Sequence, residues 1–204
     1  MHLEILSDLQ RELLPFIANF KRSFYLVGGT AIALHIGHRR SIDFDLFTAK
    51  RLNKSRIKKK VFELPYSKKT LFDDVDQAHF YINQVKTTFF QYPYPVEHTE
   101  MFESIISMPS LLTLSALKAF ALGRRAKWKD YVDLYFILNG YWAVNDISLE
   151  ADRIFGQLFS EKLFRAQLAF HKDLDYSEQV EYMPGFEVEG QIIKEFLIDK
   201  SLRI

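Results

Sequence analysis

The 204-residue chain contains no cysteine. This absence excludes disulfide bonds, thiolate zinc sites and cysteine nucleophiles, so any bound metal ion must have oxygen or imidazole ligands. The chain also lacks an apolar run long enough to cross a bilayer, and its first ten residues do not combine a basic start with an apolar segment. We therefore expect a protein of the cytoplasm that has no membrane partner.

The chain also lacks an excess of positive or negative charge, since it has 27 Lys and Arg and 26 Asp and Glu. This balance argues against a general coat for nucleic acid. The sequence also has no internal repeat, no low-complexity tract and no long linker. Hydrophobic residues make up 48% and charged residues 26%, as in ordinary globular proteins, so the composition disfavours disordered and fibrous architectures.

The hydrophobic periodicity changes near residue 108. Before this point the pattern predicts strands at residues 24–27, 42–47, 70–72, 78–83 and 86–91, and helices at residues 3–20, 31–36 and 53–62. The last two strands form a predicted hairpin around Gln84 and Val85. After Pro109 the pattern predicts only helices, at residues 110–123, 128–140, 148–159, 161–171 and 187–200. We therefore expect an α+β chain with two lobes, residues 1–108 and 109–204, in one compact unit.

Two acidic residues lie on the second predicted strand. Because side chains alternate between the faces of a strand, Asp43 and Asp45 share one face, while Ile42, Phe44 and Leu46 lie on the other. Two neighbouring carboxylates repel each other, and a divalent cation is the natural compensator. Mg²⁺ prefers one or two protein carboxylates together with water and substrate phosphates. The pair indicates a metal site, although an acidic solvent-facing strand without function has the same spacing.

A double glycine precedes this strand by one short helix. Gly28, Gly29 and Thr30 lie between a predicted strand and a helix, where exposed backbone amides can bind phosphate. Arg40 and Ser41 come immediately before the acids, and an arginine can hold a phosphate through two hydrogen bonds. The glycines alone also fit a tight turn without a ligand. Their convergence with the acids favours a site for phosphate and metal.

Two stretches carry a family resemblance, namely residues 26–31, Leu-Val-Gly-Gly-Thr-Ala, and residues 38–47, His-Arg-Arg-Ser-Ile-Asp-Phe-Asp-Leu-Phe. They resemble the signature of the nucleotidyltransferase superfamily and, within it, the AbiEii/AbiGii abortive-infection toxins, the nucleotidyltransferase components of toxin–antitoxin pairs. The resemblance implies a small mixed sheet flanked by helices, with a catalytic lobe at residues 1–108 and a helical lobe that contributes to the active site. It also implies Mg²⁺ or Mn²⁺ at Asp43 and Asp45 and a nucleoside triphosphate as substrate.

A second signature of these families matches the helical part, at Lys118, Lys129, Asp130 and Asp133. The resemblance implies that Lys118 contacts the nucleotide phosphates. It also implies that Asp130 lies near the metal ion or the attacking hydroxyl, and that Asp133 orients the basic groups at the nucleotide. Two other interpretations stay open. Lys118 can extend its ammonium group from an apolar helix face to solvent, and the two aspartates can cap a helix or pair with nearby lysines.

Metal-dependent nucleotidyltransferases usually carry a third acid on a later strand of the sheet. In residues 86–91 a threonine stands where that acid would fall, although Asp130 could supply the missing carboxylate. The resemblance implies transfer of a nucleoside monophosphate to an acceptor hydroxyl. The 3′ end of a tRNA or another RNA is the first expectation, and a protein or a small molecule is the second. The missing acid favours an alternative, a catalytically silent binding module in a toxin–antitoxin or regulatory complex.

Local positive charge suggests partners. Residues 50–60 contain seven Lys and Arg and no acid. Together with Arg124, Arg125, Lys127 and Lys129, this stretch is a candidate track for RNA phosphates, since clustered cations attract polyanions. A solvated helix face has the same composition. The family resemblance implies a cognate antitoxin protein as a further partner.

Overall fold

The computed structural model describes residues 1–122 and 124–203. Its α-helices are α1 (Asp8–Ala18), α2 (Gly28–Ile36), α3 (Lys54–Phe62), α4 (Leu111–Leu122), α5 (Trp128–Gly140), α6 (Val144–Phe155), α7 (Glu161–Ala169) and α8 (Gly190–Leu202). Its strands are β1 (Tyr25–Val27), β2 (Phe44–Thr48), β3 (Lys68–Asp73), β4 (Gln77–Ile82), β5 (Val85–Gln91), β6 (Glu100–Phe102) and β7 (Ile106–Met108). Within these two stretches, every helix is too short or too polar to span a membrane.

Five strands form one mixed sheet in the order β1-β2-β5-β4-β3. β2 and β5 are parallel, and the other neighbouring pairs are antiparallel. A parallel pair needs a long connection, and here that connection contains α3, β3 and β4. β6 and β7 form a separate antiparallel hairpin that the sequence did not predict. The α+β class and the small mixed sheet flanked by helices are confirmed.

Buried and partly exposed side chains alternate along β2, so one face of the sheet belongs to the hydrophobic core. Phe44, Phe80 and Phe89 on this face have no solvent exposure. The same hydrophobic core continues through Leu134 and Leu197 of the helical half. One core thus extends across the expected lobe boundary. The division into two lobes at residue 108 therefore remains a prediction.

Two element starts near the double glycine differ from the predicted ones. Helix α2 begins at Gly28 and not at Ala31, so the double glycine is the first turn of the helix. Strand β2 begins at Phe44, and Asp43 therefore precedes the strand. Ile42 was predicted to share a strand face with Phe44 and Leu46, but it precedes the strand and is 61% exposed, whereas those two are buried.

Local hydrogen bonds explain two other differences. Ser7 Oγ accepts a hydrogen bond from the Gln10 backbone N–H, and the Gln10 side chain accepts one from the Ser7 N–H. This pair of hydrogen bonds caps α1, which therefore begins at Asp8 and not at residue 3 as predicted. The hairpin turn between β4 and β5 is centred on Asn83 and Gln84, with φ of 51° and 65°, and not on Gln84 and Val85. The predicted end of α4 at Gly123 lies outside the described residues.

Candidate active site

A row of side chains crosses the face of the sheet opposite the core. The register places Asp45 of β2 between Val27 of β1 and Thr88 of β5, and it places Thr88 beside His79 of β4. Paired residues project to the same face, so Asp45, Thr88 and His79 line one surface. The residue beside Asp45 on β5, where a third acid was expected, is Thr88.

The two glycines allow α2 to begin directly against this row. Gly28 has a φ of +75°, and a Cβ atom there would lie 2.3 Å from Asp45 Oδ2. A Cβ atom on Gly29 would lie 2.5 Å from Arg39 Nη2 and 3.2 Å from Ser41 Oγ. Any side chain at these positions would displace a functional group. The helix N-terminus, where backbone N–H groups and the helix dipole favour anions, thus adjoins the Asp45 carboxylate.

Thr30 and Ser41 fix the backbone in front of β2. The Thr30 hydroxyl hydrogen-bonds to the Asp43 carbonyl oxygen and lies 2.9 Å from Ser41 Oγ. Gln10 Nε2 donates to the Ser41 carbonyl oxygen at 2.7 Å. Thr30 and Ser41 are buried. Their observed contacts hold Asp43 in place.

Asp43 is half-buried beside Asp45. Burial raises the pKa of the Asp43 carboxyl, and the neighbouring Asp45 charge raises this pKa further, while Lys129 opposes both effects. Lys129 Nζ lies 3.9 Å from Asp43 Oδ2. The two adjacent carboxylates form an oxygen donor set that a divalent cation would stabilise. The described residues contain no group of three or more acids and histidines arranged around such a cation.

Asp133 is the centre of a buried ionic network. Arg39 forms two hydrogen bonds with it, Nε to Oδ1 at 2.6 Å and Nη2 to Oδ2 at 2.9 Å. His38 Nε2 donates to Oδ1 at 2.8 Å, and Lys118 Nζ lies 2.7 Å from Oδ2. Burial raises the pKa of Asp133, but Arg39 and Lys118 outweigh burial and hold this pKa well below its usual range. Asp133 therefore orients basic groups and has no solvent-exposed surface for a nucleotide.

Lys118 joins this network to Asp130. Lys118 Nζ lies 2.7 Å from Asp130 Oδ1, and Arg125 Nε lies 3.0 Å from Asp130 Oδ2. Burial raises the pKa of Asp130, but Lys118 and Arg125 outweigh it, so the net pKa is below the ordinary value. The ammonium group is buried, which excludes the interpretation that Lys118 extends into solvent. Pairing of the aspartates with Lys118 replaces the pairing with Lys127 and Lys129 that the spacing allowed.

A cleft of about 510 Å³ opens between the sheet and α4. Its charged and polar end is formed by these residues: Gly28, Asp45, His79, Lys86, Thr88, Lys118 and Arg125. Its other end is aromatic. Arg40 does not line this cleft, because its guanidinium pairs with Glu181 at 2.7 Å. The sequence analysis missed His79 and Lys86, although strand alternation from Asp45 and Thr88 could have identified both, and it named Arg125 only as part of a track for RNA phosphates.

The segment between α7 and α8 forms a strap along both halves of the site, and we use this name for residues 173–186. The Trp128 N–H donates to the Asp175 carbonyl, and the Arg40 N–H donates to the Glu181 carbonyl. Glu178 forms ion pairs with Lys127 and Lys129. Burial raises the pKa of Glu178, but the two lysines outweigh it and bring the pKa to about 2. No sequence motif pointed to this carboxylate.

The fold is one that solved nucleotidyltransferase structures have. The chain has the fold of MenT4, a nucleotidyltransferase toxin from Mycobacterium tuberculosis H37Rv, with a TM-score of 0.63 at 10% identity, over 95% of this chain and 82% of that one. It is also similar to JHP933 from Helicobacter pylori, with a TM-score of 0.59 at 17% identity, over 96% of this chain and 91% of that one.

The particular family follows from sequence. The family model for "Nucleotidyl transferase AbiEii toxin, Type IV TA system" matches residues 16–202. The chain therefore belongs to this family, and the resemblance inferred from the motifs is confirmed. An uncharacterized protein of Aquifex aeolicus (strain VF5) is 29% identical over 189 residues, which cover 89% of this chain and 84% of the relative.

Proposed function

We propose that the protein transfers a nucleoside monophosphate from a nucleoside triphosphate to an acceptor hydroxyl. One observation carries this proposal: Asp45, which has Asp43 as a charged neighbour, meets the N-terminus of α2 at a cleft that lysine and arginine side chains line. Carboxylates suit a divalent cation, and cations and helix N-termini suit phosphates. The family membership supports the same reaction class.

The chain offers three kinds of contact for the triphosphate. The first turn of α2 provides backbone N–H groups beside Gly28. Lys86 is half-buried in the cleft and forms no ion pair with the described residues, so its charge is available to a phosphate. Lys118 and Arg125 are held at the opposite wall by Asp130. We assign Asp130 and Asp133 to positioning these cations, and Thr30 and Ser41 to positioning Asp43.

Asp43 and Asp45 would hold the divalent cation, Mg²⁺ or Mn²⁺. The donor set fits, because Mg²⁺ accepts two carboxylates when phosphate oxygens and water complete its shell. When bound there, the cation supplies positive charge to the triphosphate and to the leaving pyrophosphate.

In the reaction, the acceptor oxygen bonds to the α-phosphorus as the bond to the bridging oxygen breaks, and pyrophosphate leaves with the electron pair. The hydroxyl proton passes to solvent. Asp130 is a poor proton acceptor, since both of its oxygens bind cations and its pKa is lowered. Positioning and charge neutralisation therefore account for the rate enhancement.

The position of the label distinguishes this reaction from other transfers. Nucleoside triphosphates labelled at the α- or the γ-phosphate are incubated with the protein, Mg²⁺ and total RNA. We expect transfer of the α-label only. The double variant Asp43→Asn/Asp45→Asn should abolish transfer, while Asp74→Asn/Asp76→Asn, an exposed pair with the same spacing, should retain it. Transfer of the γ-label, or no transfer to RNA, protein or small molecules, would contradict the proposal.

An RNA 3′ end is the acceptor that we favour. Lys50, Arg51 and Arg56 are free of ion pairs within the described part of the chain, whereas Lys54 and Lys58 pair with Asp73. Unpaired cations attract a phosphate backbone. Periodate oxidation of the RNA destroys its 3′ diol, so it should abolish labelling if the 3′ end is the acceptor. Labelling that survives oxidation would indicate another hydroxyl. A cognate antitoxin is the protein partner that the family suggests.

A catalytically silent binding module is the second candidate, and Thr88 is the observation that favours it. A threonine beside Asp45 leaves two carboxylates where three are usual. Calorimetry with a nucleoside triphosphate and Mg²⁺ separates the two candidates when it is combined with the label assay. Binding without transfer would favour the module.

A further inference from the structure

The cleft has a second end that the proposed reaction does not use. Three half-buried rings from the sheet and the loop after it, Phe47, Phe90 and Tyr92, line this end. The centroid of the Phe47 ring lies 5.1 Å from that of Phe90 and 4.8 Å from that of Tyr92. The Phe47 ring meets the Phe90 ring edge-on, at 81°, and is tilted by 33° from the Tyr92 ring. All three rings line the cleft, and we call them its aromatic floor.

The wall opposite the rings is apolar. Leu114, Leu117 and Ala121 of α4 line the same cleft. At its mouth, the Arg124 guanidinium lies 4.2 Å from the centroid of the Phe120 ring. An aromatic floor, an aliphatic wall and a guanidinium together fit a flat, conjugated ligand better than a chain or a sugar.

The spacing connects this end to the carboxylates. Phe47 follows Asp45 by two residues on β2, and Phe90 follows Thr88 by two residues on β5. Two residues along a strand cover about 6.6 Å, and their side chains project to the same face. A group bound on the rings is therefore separated from the Asp45 carboxylate by a short gap, which a ribose between a phosphate and a base would occupy.

We propose that the aromatic end of the cleft is a nucleobase-binding site, in which the base of the triphosphate stacks on one ring of the perpendicular pair Phe47 and Phe90, contacts the edge of the other and packs against Leu117. This inference rests on the proposed function, because it assumes that the triphosphate lies at the carboxylate end. Stacking tolerates every base, since each has a π face. The base therefore contributes affinity in addition to that of the phosphates.

Calorimetry in the presence of Mg²⁺ tests the proposal with three ligands: ATP, abasic ribose 5-triphosphate and inorganic triphosphate. We expect the wild-type protein to bind ATP on the order of tenfold more tightly than either ligand without a base. Phe47→Leu and Phe90→Leu keep apolar bulk but remove the ring, so they should abolish this difference and leave inorganic triphosphate binding unchanged. Phe62→Leu is the matched control, because Phe62 is exposed at the end of α3.

Each other outcome overturns the nucleobase site. Equal wild-type affinities for all three ligands would show that the base makes no contribution. Unchanged ATP affinity in both leucine variants would show that the rings make no contribution to binding. The proposed function would stand in that case. Equal weakening of ATP and inorganic triphosphate would show that the rings serve only packing. Absence of binding by any ligand to the wild-type protein would reject the proposed function itself.

Discussion

At the scale of single residues, the most constrained charge is that of Asp133. Its carboxylate is fully buried and receives hydrogen bonds from His38 and Arg39 as well as the charge of Lys118. Buried ions lose hydration, so such a network stabilises a protein only while every partner is present. Removing the central carboxylate leaves the buried Arg39 without a counter-charge and leaves Lys118 with Asp130 as its one remaining carboxylate partner among the described residues.

Asp133→Asn should therefore lower the free energy of unfolding by about 3–5 kcal/mol. Urea denaturation followed by circular dichroism measures this change. Asp152→Asn is the matched control on α6, where the aspartate is exposed and forms no ion pair among the described residues, and we expect a change within about 0.5 kcal/mol. A loss below about 1 kcal/mol in Asp133→Asn would contradict the network.

His38 gives the network a pH dependence. Burial lowers the pKa of His38, and its hydrogen bond to Asp133 opposes this shift only in part, while its Nδ1 has no partner among the described residues. From the unfolded pKa of about 6.5 down to the lower folded pKa, the unfolded chain binds more protons than the native protein. The contribution of His38 to the stability of the fold is therefore fully present above about pH 6.5. It is lost as the pH falls from this value toward the lower folded pKa.

We expect His38→Gln to reduce the slope of stability against pH between pH 7.5 and 5.5. Urea denaturation at several pH values measures the slope. His35, His79 and His171 also have lowered pKa values, so the slope should shrink without vanishing. Equal slopes in wild type and variant would exclude a contribution from His38.

At the scale of elements, the contact between the start of α2 and strand β2 builds the site. Gly28→Ala puts an L side chain at a positive φ and against Asp45 Oδ2. We expect a loss of at least about 1–2 kcal/mol in unfolding free energy, with weakened triphosphate binding because Asp45 must move. Gly140→Ala is the matched control at the end of α5, where a Cβ atom would meet no neighbour within 4 Å. Similar effects of both variants would argue against the contact.

Most elements could be predicted because their periodicity is local. Helix α5 has its predicted bounds, since apolar residues recur at helical spacing up to its end. Helix α6 begins at Val144, four residues before its predicted start, because the Asp146 side chain accepts a hydrogen bond from the Ala143 N–H. The hairpin β6–β7 was missed, since three-residue strands are too short to show alternation. Such elements depend on tertiary contacts more than on local pattern.

The candidate site could be predicted only where a motif or an alternation marked it. Asp43, Asp45 and Lys118 were predicted by pattern and family resemblance; Asp45 and Lys118 line one cleft, and Asp43 is a charged neighbour of Asp45. The direction of the Arg40 side chain could not be predicted, because its partner Glu181 is distant in sequence. The same reason concealed Glu178, which lies in an irregular segment without any periodicity.

At the scale of the whole molecule, the strap brings the Glu178 carboxylate to Lys127 and to Lys129, and Lys129 lies beside Asp43. Glu178→Gln should change unfolding free energy by less than about 1 kcal/mol, because the ion pairs are partly exposed. It should also increase affinity for inorganic triphosphate with Mg²⁺ several-fold, since Lys127 and Lys129 lose a competing anion. Calorimetry measures this affinity. Glu181→Gln is the control on the same strap, and equal effects of both variants would contradict the competition.

The position of the strap has a consequence for synthesis of the chain. Backbone hydrogen bonds join His38 to Met183 and Trp128 to Asp175, so residues near the start and middle of the chain are ordered by residues near its end. While a ribosome is still translating residue 183, the emerging polypeptide has its paired aspartates together with Thr30 and Ser41, but the strap is not yet complete. The contacts of the strap with His38 and Trp128 can therefore form only after the sheet, α2 and α5 have all been translated.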